Sequence, residues 1–531
     1  MFDIVSLSRG GRTKLGLHDG SVPTCQGGSS RDVENVEFAQ AINAISLTPC
    51  FVALTLYSSV IVTMVVSGTE VAKNNTKDSC WVVVHGQVWD VTDFLDEHPG
   101  GAKLIIKCAG RDATEDYDSI HNPDLITETL SPDRCLGPVD PATLPEPQDA
   151  SSNAPEKQKP AFPHLGAIIN ADDFEKVAEK YLSPMGWAYY YSGAEDERSL
   201  DDSRRIFRKL ALRPRILRNV DSISTSTNIL GLPSSLPFYI SPTGQAKYAH
   251  PEAETILSKA AGKEGILYCM PTKPSASIES IFGARVNEAQ PLFFQLYVDR
   301  NREKAQATIR KAERLGAKAI FVTVDSPVIG KRERDERLTV GDEPLSEPSG
   351  VAKTTASGLL NAGLTWADLT WIRDTTSLPI VIKGIQSVED AVIAHEHGVD
   401  GIVLSNHGGR SQDTAQAPML TLLEIRKYAP HLLSQETRVK FQVFVDGGIR
   451  RGTDVLKAVA LGATAVGIGR PFLYSMTAAY GEAGVRRLVQ ILRHELQTNM
   501  ALAGATSVEE IVTEMVNSER AEKEVTGRVK L

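Results

Sequence analysis

The sequence predicts an α/β protein, a closed (β/α)8 barrel preceded by a small α+β domain, and three observations carry that prediction. Eight short apolar runs alternate with helical patterns between residues 164 and 505; most are bounded by Gly or Pro and rich in Val, Ile or Phe, as parallel strands buried on both faces are. A stretch at 138–163 carries prolines 138, 141, 145, 147, 155, 160 and 163 among Ser, Asp and Gln, and such a segment builds no core and reads as a semi-rigid linker. No G-x-G-x-x-G follows an early strand, which removes a doubly wound dinucleotide fold.

The elements follow in chain order: an N-terminal extension at 1–67, a small domain at 68–137, the linker at 138–163 and the barrel domain at 164–531. In the extension no charged residue occurs between Glu37 and Glu70, and 44–66 is largely apolar, about the 20 residues that span a bilayer. Arg9, Arg12 and Lys14 mixed with Asp19, Asp32 and Glu34 do not make a secretory signal. Three readings stand: a membrane anchor, a sorting segment, or a true translation start at Met64. The eight runs are 237–241, 265–269, 292–297, 319–325, 379–383, 401–405, 442–446 and 465–468. The patternless stretch 341–363 is long enough to be a functional loop.

Composition excludes several classes. A net charge of −9 opposes nucleic-acid binding, which needs a basic face. Six cysteines (25, 50, 80, 108, 135 and 269) form no C-x-x-C pair, against a disulfide scaffold or a zinc ribbon. His395 and His397 lie on the helix expected after the fifth strand, away from the strand ends, and read as a solvated face rather than a metal site.

The small domain holds His98 in H-P-G-G and His121 in S-I-H-N-P, behind a hairpin pattern spanning residues 80–91. Two imidazoles on a haem iron leave no open position, which suits electron transfer. The run W-V-V-V-H-G followed by H-P-G-G resembles the cytochrome b5 family, and the resemblance implies that His98 and His121 are the axial ligands of haem b.

In a (β/α)8 barrel the chemistry sits at the C-terminal strand ends, with phosphate sites after strands 7 and 8. Here those ends carry Gln295-Leu296-Tyr297, Thr323-Val324-Asp325, Lys383, Ser405-Asn406-His407-Gly408-Gly409-Arg410, Asp446-Gly447-Gly448 with Arg450, and Gly469-Arg470. The glycines let backbone N–H groups approach an anion, and Arg450 and Arg470 offer bidentate phosphate contacts.

The motif S-N-H-G-G-R at 405–410, with Y-Y-Y-S-G-A at 189–194, F-Q-L-Y at 294–297 and T-V-D-S-P-V-I-G-K-R-E at 323–333, resembles the family of FMN-dependent α-hydroxy-acid dehydrogenases and oxidases, which are TIM barrels. The resemblance implies His407 as base, Asp325 as partner of the imidazolium, and Tyr297 on the substrate hydroxyl. It implies Arg410 and Tyr189 on the substrate carboxylate with Arg332 nearby, and Lys383 beside flavin N1. Gln295 and Thr323 are given to the flavin pyrimidine edge, and Pro242, Thr243, Gly244, Ser405, Asp446, Gly447, Gly448, Arg450, Gly469 and Arg470 complete the FMN site. The residues accommodate departure of the α-hydrogen as a proton or as a hydride.

Three departures from the family pattern stand out. Ser411-Gln412-Asp413 replaces Q-L-D, Cys269-Met270-Pro271-Thr272-Lys273 replaces a serine-bearing stretch, and Gly244 replaces alanine. Lys273, where it reaches the pocket, favours an acid with a second carboxylate or polar tail.

The implied activity is oxidation of an L-2-hydroxy acid, L-lactate or a related acid, to the 2-keto acid, with electrons passing from FMN through haem to cytochrome c. The alternatives are an oxidase passing electrons to oxygen with a vestigial haem domain, and a non-catalytic, membrane-anchored haem carrier. The likeness further implies a homotetramer in the mitochondrial intermembrane space, with a cytoplasmic protein as the alternative; the C-terminal V-K-L only loosely matches a peroxisomal S-K-L signal.

Overall fold

The computed structural model describes residues 65–95, 97–98, 102–118, 121, 123, 125–144, 161–338, 360–525 and 527. The N-terminal extension up to Met64, most of the expected linker, residues 339–359 of the expected loop and the final V-K-L lie outside the described residues. Val62–Leu531 forms one compact unit.

The small domain is a four-stranded sheet in the order β1-β4-β3-β2, with β1 Val66–Ser67, β2 Trp81–Val84, β3 Gln87–Asp90 and β4 Cys135–Asp140. Helices α1 (Gly68–Lys73), α2 (Ala102–Cys108), α3 (Thr114–Asp118) and α4 (Leu125–Thr129) accompany it. The expected hairpin joins β2 and β3 through His85 and Gly86, both at positive φ (51° and 73°), the geometry of a tight two-residue hairpin turn. Strand β4 runs three residues past the expected boundary at 137, because Val139 pairs with Val66 and is buried with Val71, Val83 and Val88.

The barrel is closed by eight parallel strands: β5 Phe238–Ile240, β6 Leu267–Met270, β7 Leu292–Leu296, β8 Ala317–Thr323, β9 Ile380–Ile385, β10 Gly401–Leu404, β11 Gln442–Asp446 and β12 Ala465–Ile468. Closure is made by β12 on β5, with Val466 opposite Phe238. Each of the eight expected runs is one of these strands, shifted by no more than a few residues at the ends.

Successive side chains on a strand alternate between faces, and the interior is filled by Tyr239, Cys269, Phe293, Phe321, Val381, Val403, Phe444 and Ala465, all fully buried. The Phe293 and Phe321 rings stack at 5.1 Å. Burying one such side chain contributes about 1.5–3 kcal/mol. Two residues further along the same strands the interior becomes polar: Ser241, Gln295, Thr323, Lys383, Ser405 and Asp446.

A hairpin that the sequence reading did not place, Thr227–Ile229 with Leu232–Ser234, adds Ile229, with Leu230 and Leu232 behind it, to this interior cluster. Before the barrel, α5 (Ala171–Tyr181), α6 (Pro184–Tyr191) and α7 (Arg198–Arg205) supply further site residues. Helix α6 begins with Ser183 capping Gly186 N and Pro at its first turn, a favoured helix start.

Strand β9 shifts register between Lys383 and Ile385, at Gly384, whose φ is +115°. A Cβ there would sit 2.5 Å from Asp325 Cβ, so glycine alone lets the Lys383 strand end pass the Asp325 carboxylate. Gly384→Ala is expected to lower the unfolding free energy by ~2 kcal/mol or more, read by urea unfolding; an unchanged midpoint contradicts this.

Candidate active site

The loop after β10 bends through three successive left-handed residues, His407 (φ 56°), Gly408 (65°) and Gly409 (73°). Asn406 Oδ1 accepts from Gly409 N at 3.1 Å, and its amide donates to Ser203 Oγ at 3.0 Å. A Cβ on Gly409 would meet Leu200 N at 2.5 Å, so α7 presses directly on this turn. The turn brings the imidazole over the barrel mouth.

There His407 Nδ1 lies 2.7 Å from Asp325 Oδ1 and 3.1 Å from Ser326 Oγ, and Nε2 lies 3.3 Å from Tyr297 Oη. Asp325 as Nδ1 partner leaves the Nε2 lone pair facing the cavity. Burial pulls the His407 pKa below its ordinary value; Asp325 opposes that, Lys383 and Arg332 add to it, and the imidazole is neutral at pH 7. Burial alone would raise Asp325, but His407 and Lys383 outweigh it and hold the carboxyl below its usual range. Burial and Asp325 raise the Tyr297 phenol, which stays protonated.

Of the barrel residues expected at the site, all but Asp325 and Ser405 line one cavity, and those two support it from behind. Lys383 Nζ is held by Asp446 Oδ2 and Ser405 Oγ, each at 3.2 Å. Burial opposes its charge, yet Asp446 and Asp325 raise its pKa, so it remains an ammonium. Gln295 Nε2 donates to Thr323 Oγ1 at 2.9 Å, and Gln295 Oε1 accepts from Thr272 N at 3.0 Å. Gly447 and Gly448 follow β11 at positive φ (89° and 79°), which turns successive N–H groups toward one side. A Cβ on Gly448 would meet Ser203 O at 1.9 Å.

Pro242, Thr243 and Gly244 line the opposite strand end, with Gly469. Arg450 Nη2 pairs with Glu175, while its Nη1 lies 3.5 Å from Asp172 and makes no hydrogen bond. Arg470 donates to the carbonyls of Tyr190, Gly408 and Ser192. Ser241 Oγ, Thr243 Oγ1 and Asp446 Oδ1 are buried without partners among the described residues, a cost of about 1–3 kcal/mol for each until something fills the cavity. A polar ring ligand with a phosphate meets those atoms, the buried ammonium and the glycine turn, so the residues fit FMN.

Arg410 Nη1 donates to the carbonyls of Tyr189 (2.6 Å), Tyr190 (3.3 Å) and Ser192 (3.1 Å), satisfying the open C-terminal end of α6. Its guanidinium lies 5.0 Å from the Tyr189 ring. Arg332 Nε donates to Arg410 O at 3.4 Å; burial and the Arg410 charge bring its pKa down to about 9. Neither arginine has a carboxylate partner among the described residues, so a substrate carboxylate finds two cations there.

Sequence reasoning missed Ser326, Thr272 and Arg204. Ser326 Oγ bonds both His407 and, at 2.7 Å, Ser411 Oγ, so the departure at Ser411 is tied into the histidine's support. Asp413 accepts from the N–H groups of Asp196 and Ser199 and so holds the start of α7. Arg204 lines the cavity from α7 and pairs with Glu175; no motif marks it. His395 packs on Phe441 at 5.0 Å, and His397 Nδ1 meets Ile393 O at 2.9 Å, both away from the cavity.

In the small domain the His98 and His121 rings lie with centroids 6.3 Å apart and their planes at 79°. Two imidazoles on one metal, at about 2.0 Å per bond and about 1.1 Å from nitrogen to ring centre, stand roughly 6 Å apart, so the pair fits a haem iron. Burial, His98 and Lys247 pull the His121 pKa down to about 4, which keeps the lone pair free for a metal. Lys247, three residues after Gly244, donates to the carbonyls of Asp118 (2.8 Å) and His121 (3.0 Å), joining the histidine segment to the barrel mouth. Purified His98→Ala protein is expected to lose its haem absorption while keeping its FMN; an undiminished haem band contradicts the ligand assignment.

Residues 178–518 match the family described as FMN-dependent dehydrogenase, and residues 67–140 match the cytochrome b5-like haem/steroid-binding domain. The chain is 41% identical over 457 residues to an L-lactate dehydrogenase (cytochrome) of Wickerhamomyces anomalus, covering 84% of this chain and 79% of that protein. It is 41% identical over 362 residues to glycolate oxidase 3 of Oryza sativa subsp. indica, covering 65% and 95%. Among solved structures, a flavocytochrome b2 double variant with sulfite bound matches with TM-score 0.64 and 38% identity over 70% of this chain and 92% of that one. The left-handed histidine turn, the buried ammonium and the paired imidazoles stand where these matches run, and the chain belongs to the FMN-dependent dehydrogenase family, with a cytochrome b5-like haem-binding domain ahead of its barrel.

Proposed function

We propose that the chain oxidises an L-2-hydroxy acid, L-lactate or a close relative, to the 2-keto acid and delivers the electrons through haem b to cytochrome c. The observation that carries the reading is one cavity lined by His407, Tyr297, Arg332 and Arg410, with Asp325 supporting His407 from behind and Tyr297 beside its Nε2. FMN, when bound, supplies the two-electron acceptor, and haem b the one-electron carrier.

The chain's own residues do the rest. Arg410 and Arg332, with the Tyr189 hydroxyl, hold the substrate carboxylate and so orient the alcohol carbon. Tyr297 holds the substrate hydroxyl. His407 Nε2 accepts a proton as that carbon becomes a carbonyl, and the buried Asp325 carboxylate stabilises the imidazolium that results. Lys383 places a fixed positive charge in the floor of the cavity, against which negative charge develops.

The oxidase reading draws on the glycolate oxidase likeness, which covers the barrel. The paired imidazoles at 6.3 Å and the Lys247 tie favour the haem route. Steady-state hydrogen peroxide yield separates the two. A homotetramer and a mitochondrial intermembrane-space location rest on family likeness. Among the described residues no helix is long and apolar enough to cross a membrane.

His407→Gln is expected to retain both cofactors and to slow flavin reduction by roughly 10²–10⁴-fold, measured by anaerobic stopped flow; a loss below threefold contradicts its role as base. Because burial lowers the His407 pKa, the neutral base persists below the ordinary histidine range. The acid limb of kcat/KM is therefore expected below pH 6.5, and an acid limb above pH 7 contradicts the assignment.

A further inference from the structure

The wall of the cavity opposite the histidine is formed where the loops after β5 and β6 meet. A Cβ on Gly244 would lie 2.7 Å from the carbonyl oxygen of Lys273, closer than any side chain permits. The absence of a side chain at 244 is what allows the Lys273 backbone to approach.

Both loops are held in that relation by one buried carboxylate. Glu254 Oε1 accepts from Ala246 N at 3.1 Å, and its two oxygens accept from Ser275 N (3.0 and 2.9 Å) and from Ala276 N (3.0 Å). On the other side Thr272 Oγ1 donates to Gln295 O at 2.7 Å and accepts from Tyr297 N at 2.8 Å. Lys273 thus stands between two anchored neighbours, and its position is set by the scaffold.

Lys273 lines the same cavity as Tyr189, Tyr297, Arg332, His407 and Arg410 and is partly buried. Of the other cations around the cavity, Lys383 is matched by Asp446, and Arg204 and Arg450 by Glu175, while Arg470 is engaged by three backbone carbonyls. Arg332 and Arg410 await the substrate's carboxylate. Lys273 makes no ion pair and no side-chain hydrogen bond among the described residues. A half-buried lysine without a counter-charge favours a ligand that brings one.

We propose that Lys273, admitted to the wall by Gly244, is a specificity residue that binds a second anionic group of the substrate, so that L-2-hydroxy dicarboxylates are preferred over monocarboxylates of equal chain length. The inference rests on the reading of this cavity as an L-2-hydroxy-acid site.

The test uses the holoenzyme and anaerobic flavin reduction. Parent, Lys273→Leu and Lys273→Arg are compared on L-2-hydroxysuccinate against L-2-hydroxybutanoate, and on L-2-hydroxyglutarate against L-2-hydroxypentanoate, with FMN content measured for each protein. In the parent the ratio of kcat/KM favours the dicarboxylate of at least one pair. In Lys273→Leu that ratio falls about tenfold or more, the size of one desolvated charge contact, and in Lys273→Arg most of it is retained. Affinity of the oxidised parent for 2-oxoglutarate, read from the flavin spectrum, falls in parallel in the Leu variant. A parent that prefers the monocarboxylates, or a ratio unchanged in Lys273→Leu, overturns the inference and leaves the hydroxy-acid reading standing. A parent whose flavin none of these acids nor L-lactate reduces overturns the hydroxy-acid reading itself.

Discussion

Closure of the parallel barrel is the constraint on which the site depends. Once β12 pairs with β5, every strand presents the same end to the same face, and alternation along each strand stacks the interior in layers. The apolar layer through Phe293, Phe321, Val381, Val403 and Phe444 fills the tube. The next interior residue on the same strands is Gln295, Thr323, Lys383, Ser405 and Asp446. The floor of the cavity is therefore a consequence of strand register. A slip of one residue would exchange every one of these groups for a neighbour facing the helices.

Charge balance explains how such a floor is tolerated. Lys383 is nearly inaccessible, and so is its partner Asp446, at 7% and 9% side-chain exposure; a buried pair of this kind contributes little net stability, and its value lies in what it holds ready. The Asp325 side chain is wholly inaccessible while His407 keeps 19% exposure, so the imidazole is supported from the protein side and open on the cavity side. Arg410 and Arg470 also cap the carbonyls that end α6. Arg410 thereby holds Tyr189 in place, which couples the segment before the barrel to the strand ends within it.

Much of this was legible in the sequence, and for physical reasons. The eight strands are short, apolar and punctuated by Gly and Pro, so their existence and polarity could be read, and the strand-end rule then located the cavity. His98 and His121 stood in a distinctive hairpin and glycine context, and the structure brings their rings together, centroids 6.3 Å apart. What escaped was non-local. The hairpin at Thr227–Ile229 and Leu232–Ser234 is too short to show a period, and its Leu230-Gly231 turn lacks the usual Asn-Gly signal. Arg204 reaches the site from a helix far away in sequence, and Ser326 owes its role to a contact with Ser411 across two loops. The extent of β4 was set by the partners of Val139, where prolines in the sequence suggested a linker.

The proposed coupling runs within one chain, from hydroxy-acid oxidation in the barrel to a haem held by His98 and His121. The most direct measurement is the visible spectrum of the full-length holoenzyme after anaerobic rapid mixing with excess L-lactate, followed at flavin and haem wavelengths together. The flavin band is expected to bleach first and the reduced-haem bands then to grow in at the expense of the reduced flavin, with no such change for D-lactate. Bleaching of the flavin with the haem left oxidised throughout would contradict it.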